Sequence, residues 1–484
     1  MKSVRKSLAV SLLSGQASFA IAFVSTLLIS RLLTPAQIGV YSVGYALLVI
    51  LHQVRAFGIT PYVVQEKELT TPRLRSALGV LFMTSWGLGI VVILMSFPAA
   101  RFYQDSGVGE VMRVLSLNFF LAPFGGMGGS LLLRDMRLAA LAAAELSGTL
   151  TLAVVSVMLA WFGHGYMSLA WASLGGVVVN TMVTAICEPR TLRTTPSLVE
   201  ARPVFRFGLK SASADFVRSL RMNAAELVVG RTLGLEATAF LSRANSVTSQ
   251  FFAVIGPTIQ RVAFPYYAQQ VRDGVALKPA YLAAVTYLTG VSWPFLVVLA
   301  ILAAPIVRAL FGDQWDAAVP VAQILCVAGF LWSPFWTCMN MAIAMGRPAI
   351  HLRFEILSFI AAVIAVLVGS TFGLNAVAWG LCGVALIGCL YCVNVQRILA
   401  EVSLRDTAKA SGKSLVLAVA AGAGVLVSES LLPATASVPL RLASGGTLAF
   451  LGWWLAIMGT NHPLKGEAAR ARDYIRRLGR SGGH

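Results

Sequence analysis

Four arginines stand inside stretches long enough to cross a bilayer: Arg55, Arg218, Arg221 and Arg243. A guanidinium keeps its charge there, and its planar fork grips an oxyanion through two parallel hydrogen bonds. An ionised side chain at mid-membrane costs roughly 2.5–3.5 kcal/mol on insertion scales, so each of these groups must face protein or water. The densest case is the stretch from Gly208 to Gly230, GLKSASADFVRSLRMNAAELVVG, which carries Asp215, Arg218, Arg221, Asn223 and Glu226. At about 100° per residue, Ser211, Asp215, Arg218, Ser219, Met222, Asn223 and Glu226 fall on one stripe about 140° wide. Arg221 lies off that stripe. Arg218 follows Asp215 by three residues, so the two can pair. Such a stripe reads as the wet wall of a central pathway, or as a buried ion pair that fixes helix packing. The remaining acid within a span is Glu145. Asp215, Glu226 and Glu145 are candidates for coupling to a proton or Na⁺, or for counter-ions to the arginines.

These residues are carried by a strongly apolar chain. Of 484 residues, 57% are hydrophobic and 12% charged, and the mean hydropathy is +0.77. A soluble domain carries about 25% charged residues, and about 20 apolar residues span a bilayer core. The sequence therefore predicts an all-α integral membrane protein with fourteen transmembrane helices and only short loops. That leaves no room for a soluble catalytic domain. The formal charge of +18 is not a nucleic-acid signal. Most Lys and Arg residues fall in alternate loops and in the C-terminal tail, the positive-inside pattern with both termini cytoplasmic, and they meet anionic lipid headgroups. The six cysteines lie in or beside apolar spans without zinc-type spacing. The five histidines are too scattered for a metal site, so no metal and no cofactor is expected.

Residues 188–207, EPRTLRTTPSLVEARPVFRF, form a basic, proline-containing linker. It divides a first six-helix bundle, 1–188, from a second, 208–397, with 189–207 as cytoplasmic linker. Residues 398–460 add two further helices and 461–484 a basic cytoplasmic tail. A repeat at an offset of 200 residues supports two pseudo-symmetric halves. SRLLTPAQIGVYS ends at Ser42 and GRTLGLEATAFLS at Ser242, aligning Arg31 with Arg231 and Leu33 with Leu233. An even number of spans per half inserts both halves the same way, a known transporter plan.

Seven stretches, in order, resemble one family: RLLTPAQIGVYS at 31–42, RAFGITPYVVQEKEL at 55–69, LLLRDMRL at 131–138, FLSRANSV at 240–247, RVAFPYYAQQVRD at 261–273, LFGDQWDAAVPVAQIL at 310–325 and AMGRPAIHLRFEI at 344–356. The chain resembles the Wzx-type lipid-linked oligosaccharide flippases, in the polysaccharide exporter branch of the multidrug/oligosaccharidyl-lipid/polysaccharide superfamily. The last two spans match by number and hydrophobicity only. Leu241, where the first half has Tyr41, is one departure.

The resemblance implies a substrate in which a short oligosaccharide is joined by diphosphate to a polyprenyl chain. It also implies alternating access between inward-open and outward-open states, with spans 1, 2, 7 and 8 around the cavity. Fixed positive charge would then replace the hydration of the diphosphate. Arg55 lies about five residues from the inner end of span 2, Arg218 and Arg221 are mid-span, and Arg243 is roughly 10 Å below the outer face. The sugar would meet Gln16, Asn180, Asn223, Asn245, Gln250 and aromatic faces. Expected partners are the lipid-linked substrate and the polymerase and glycosyltransferases of the same pathway, in the bacterial inner membrane. The rival readings are a cation-coupled drug exporter of the same superfamily, a non-catalytic partner of a polysaccharide synthase, and a polymerase or ligase enzyme. The last needs a large external loop that is not present.

Overall fold

In the computed structural model, residues 2–56, 58–66, 68–433 and 435–466 are described, with the side chains of 2–12, 54, 56, 203, 206–215, 253–254 and 257–262 excepted. The side chain of Asp215 and the tail from 467 onward therefore lie outside the described residues. Everything regular among the described residues is helical. The helices are α1 (Lys2–Leu32), α2 (Pro35–Ala56), α3 (Ile59–Gln65), α4 (Thr71–Tyr103), α5 (Ser106–Arg134), α6 (Leu138–Trp161), α7 (Met167–Cys187), α8 (Arg190–Arg193) and α9 (Ala201–Thr232). They continue as α10 (Leu235–Arg272), α11 (Leu277–Ile301), α12 (Ala303–Phe311), α13 (Ala318–Trp332), α14 (Cys338–Ala344), α15 (Pro348–Ser370), α16 (Leu374–Ala400), α17 (Leu404–Leu431) and α18 (Val438–Thr460).

Twelve helical segments among the described residues are long and apolar enough to cross a membrane, where the sequence predicts fourteen. The two outside that set are α9 and α10, parts of which fall outside the described side chains. Helix ends follow local chemistry. Thr34 and Gln37 form a reciprocal cap at the start of α2, each side chain accepting from the other's backbone N–H, with Pro35 at the first helical position. Asp105 caps α5 by accepting from the Gly107 N–H at 2.7 Å. The 200-residue repeat recurs in these ends. α1 stops at Leu32 and α9 at Thr232, while α2 starts at Pro35 and α10 at Leu235. Arg31 and Arg231 each sit in the last turn of their helix, where a cation meets the negative end of the helix dipole.

The chain divides into two compact units, Met1–Ala239 and Phe240–His484. In the first, α4 packs on α5, α5 on α7, α7 on α6, α6 on α1, and α2 lies between α5 and the polar helix α9. Val43, Val111, Leu115 and Phe119 form one core cluster; Tyr62 and Val63 of the short α3 anchor another against Leu78, Met127 and Leu131. At Gly39 a side chain cannot be accommodated, because a Cβ there would stand 1.9 Å from the Leu235 carbonyl oxygen. In the second unit Tyr267, Tyr281, Cys338, Met341, Phe354 and Cys392 pack together. The final pair, α17 and α18, packs on itself and α17 runs along α11.

Candidate functional site

The first unit holds an open-sided cavity of about 760 Å³. Five helices supply its walls, and each does so along one stripe of three- and four-residue steps. Tyr45, Leu48, Val49, His52 and Arg55 come from α2; Asn118, Ala122 and Gly125 from α5; Glu145, Gly148, Thr149 and Leu152 from α6; Ser173, Gly176, Val177 and Asn180 from α7; and Gly15 and Ser18 from α1. Side chains at such spacing lie above one another on a single helix face. Gly148 and Gly176 let α6 and α7 approach: a Cβ on Gly148 would stand 3.0 Å from the Gly176 carbonyl oxygen. That close packing brings Asn180 up beside Glu145's helix.

The chemistry sits at three places in the wall. Arg55 Nη2 donates to His52 Nε2 at 2.7 Å. Because a guanidinium only donates, Nε2 carries a lone pair and the imidazole is the neutral tautomer with its proton on Nδ1. The His52 ring meets the edge of Phe119, 6.5 Å between centroids. Asn118 Nδ2 donates to Ser173 Oγ at 3.1 Å and ties α5 to α7. Arg55 Nε and Asn118 Oδ1 are buried without a protein hydrogen-bond partner, a donor and an acceptor left for something other than protein. Glu145 presents an exposed carboxylate on the α6 wall. The ionisable wall groups thus combine one cation, one carboxylate, a neutral imidazole and the Tyr45 phenol, among carboxamides and hydroxyls.

Of the residues singled out in the sequence, the structure brings Arg55, Glu145 and Asn180 into this one cavity. Gln16 is exposed on α1 and is not a wall residue, although its neighbours Gly15 and Ser18 are. Arg218 is exposed, and Arg221, Asn223 and Glu226 are half-buried on α9. Asn223 Nδ2 turns back to donate to the Ser219 carbonyl at 2.8 Å. Arg243, Asn245 and Gln250 belong to α10 in the second unit. There the Arg243 guanidinium lies over Phe311 at 5.7 Å and Trp315 at 5.6 Å, a cation–π seat built from residues far away in sequence. His52, Asn118 and Ser173 had not been singled out; the signal that locates them is their one-face spacing with Arg55 and Asn180. No group of residues able to hold a metal ion occurs among the described residues.

An ion-pair knot closes the α5–α6 and α7–α8 turns. Arg190 grips both Glu188 and Asp135, and Arg137 Nη1 donates to Glu188 at 3.1 Å. The Glu188 side chain is 2% exposed. Hydrogen bonding from Arg190, aided by the charges of Arg190 and Arg137, holds its carboxyl below the usual value against the opposing effect of burial. The second unit holds a different buried polar group. His462 is 1% exposed; its Nδ1 accepts from the Leu464 N–H at 3.3 Å and its Nε2 stands 3.2 Å from Ser414 Oγ.

Fold and site together define a multi-pass, all-helical membrane protein with a polar chamber among the helices of its first unit. Residues 28–320 match the profile of the family described as polysaccharide biosynthesis protein, and the chain belongs to that family. The lipopolysaccharide biosynthesis protein WzxC of Escherichia coli (strain K12) is 25% identical over 347 residues, 70% of either chain. The succinoglycan biosynthesis transport protein ExoT of Rhizobium meliloti (strain 1021) is 25% identical over 400 residues, 80% of this chain and 79% of that one. The fold is shared with the lipid II flippase MurJ, with a TM-score of 0.73 at 12% identity over 93% of this chain and 99% of that one. It is shared too with a multidrug resistance MATE family transporter of the MOP superfamily, with a TM-score of 0.61 at 19% identity over 83% and 99%. The likeness to Wzx-type exporters drawn from the motifs stands.

Proposed function

We propose that the protein is a flippase that carries polyprenyl-diphosphate-linked oligosaccharide units across the bacterial inner membrane for exopolysaccharide or O-antigen assembly. The observation that carries this reading is the chamber. A space of about 760 Å³, walled by carboxamides, hydroxyls and a guanidinium within helices that cross the membrane, suits an anionic sugar headgroup. Arg55 Nε is a donor without a protein partner, and guanidinium forks match phosphate oxygens. In this reading two six-helix halves, 1–188 and 208–397, alternate access, with 398–460 as an added pair and both termini cytoplasmic. The arginines of α9 and α10, Arg218, Arg221 and Arg243, continue the path, with Asn223, Asn245, Gln16 and Gln250 as sugar contacts. Glu145, Asp215 and Glu226 are the candidates for ion coupling. An anion leaving an inside-negative cell gains about 2.3 kcal/mol per charge per 100 mV, which favours the outward stroke. Names of relatives such as succinoglycan biosynthesis transport protein support transport; in this reading no covalent bond is made or broken, and the polymerase and glycosyltransferases of the same pathway are its neighbours.

The test is translocation of labelled lipid-linked oligosaccharide in proteoliposomes. Wild-type protein moves the label to the opposite leaflet, and Arg55→Glu lowers the rate roughly a hundredfold through loss of charge-assisted hydrogen bonds. Full activity in Arg55→Glu, Arg218→Glu and Arg243→Glu alike rules out the cationic path. Export of lipophilic cations with no effect on lipid-linked sugar favours the drug-exporter reading instead.

A further inference from the structure

The Arg55–His52 pair carries more than a phosphate contact. Its two groups are 2.7 Å apart, and the hydrogen bond exists only while Nε2 is unprotonated. A proton taken from water onto Nε2 forms an N–H bond there and leaves two donors face to face. Two unit charges at about 4 Å repel by roughly 4 kcal/mol at an effective dielectric of 20, so Arg55 must swing off. Both cations then point into the chamber. Counting the wall groups Arg55, His52 and Glu145, with the Tyr45 phenol neutral, the chamber goes from neutral to positive. An anion seated between them removes the repulsion. We propose that His52 is a proton-binding site of the chamber, and that the diphosphate and a proton enter it together. The inference rests on the reading that Arg55 meets phosphate oxygens.

Surrounding charges leave the role to this histidine. Across the chamber α6 brings Glu145, and Tyr45 stands two turns along α2. On α5, Glu110 accepts from Tyr166, Arg113 lies over Phe97 and Arg134 donates to the Val63 and Glu66 carbonyls. On α4, Arg73 pairs with Glu66, Arg75 donates to the Thr195 carbonyl and Arg101 is exposed. The α9 helix, packed along α2, brings Arg218, Arg221 and Glu226. Residues of α7 add no charge.

The experiment uses the full chain purified in detergent and a soluble diphosphate diester, UDP-glucose, whose charge is constant between about pH 5.5 and 8. Wild-type protein binds it roughly tenfold tighter at pH 6 than at pH 8, and an indicator dye records proton uptake on binding. His52→Gln, which retains an acceptor for Arg55, binds with the pH 8 affinity throughout and takes up no proton; His52→Asn repeats the result with a shorter side chain. Retention of the wild-type pH dependence and proton uptake in both variants overturns the proposal while leaving Arg55 in place. Loss of the pH dependence in Glu145→Gln, with His52→Gln unchanged, also overturns it and moves the proton to the carboxylate. Equal affinity of wild type and Arg55→Gln at both pH values overturns the diphosphate reading and this proposal together.

Discussion

The chamber of the first unit and the groove of the second are opposite uses of the same apolar scaffold. The groove, about 260 Å³, is lined by Val291, Phe295, Val298, Ala421, Ala449 and Trp453 among others. Trp453 is the one groove side chain here with a polar N–H, and it donates that N–H to the Gly290 carbonyl at 2.9 Å. The groove therefore offers nothing to water. The chamber instead leaves Arg55 Nε and Asn118 Oδ1 unmatched by protein. An orphaned polar atom in an apolar interior costs about 1–3 kcal/mol, so persistence of two in one wall argues for a wet, ligand-accepting space. The difference lies in which stripe of each helix is polar, not in how the helices are built.

Exchanging the chemistries is the sharpest way to break that contrast. Val298→Asp puts a charge into the groove at roughly 3 kcal/mol, and we expect a drop of several degrees in melting temperature with poor membrane yield. Glu145→Leu, which takes a charge out of the chamber, leaves the melting temperature within about 1 °C. A harmless Val298→Asp refutes the dry groove. Next in size is the knot at Glu188. Arg137→Ala with Arg190→Ala leaves its carboxylate buried and unpaired. The loss is about 2 kcal/mol, below the 3–5 kcal/mol of a fully buried pair because both arginines are half in water. Since the carboxyl is held below its usual value, the stabilisation is present above the ordinary carboxylate range and lost as pH falls through the lowered pKa. Glu188→Gln flattens the melting temperature over that acid window; an unchanged acid slope contradicts the assignment.

The second histidine gives a smaller effect and a direct counterpart to His52. Burial first, then the Lys413 charge, pushes His462 below its ordinary value. With Nδ1 accepting from Leu464, the proton of the neutral ring is on Nε2, toward Ser414; a second proton on Nδ1 would face the Leu464 N–H. His462 is therefore neutral in the fold, and stability falls as pH drops below about 6.5, where the unfolded chain takes the proton more readily. We expect a melting-temperature slope between pH 7 and 5 that His462→Gln removes. The two histidines differ in surroundings: His462 is sealed, whereas His52 opens on the chamber.

Much of the architecture was legible because each signal is local. Caps such as Thr34 with Gln37, and the apolar runs, fix helix ends within a few residues. The span expected at 317–344 is there, though Ser333 and Pro334 break it between α13 and α14. The chamber was legible in part. Arg55 and Glu145 stand out because a charge in an apolar run is conspicuous. His52, Asn118 and Ser173 are ordinary polar residues until three helices bring their stripes together. Arg243 was conspicuous too, yet its partners Phe311 and Trp315 lie some seventy residues on, and nothing in the local pattern joins them.

The finest distinction concerns what Arg55 contributes, and Arg55→Lys measures it. Lysine keeps the positive charge of the chamber but has a single point of charge where arginine has a fork. It can still donate to His52, so the neutral tautomer remains supported. It cannot hold two phosphate oxygens in one plane while doing so. Loss of one hydrogen bond to a charged partner, with the charge kept, is about 1 kcal/mol, or roughly fivefold in rate. We expect translocation to fall by that factor with the melting temperature unchanged. A wild-type rate in Arg55→Lys means that the chamber uses Arg55 as a charge alone. A loss as deep as that of Arg55→Glu means that the planar geometry, not the charge, selects the guest.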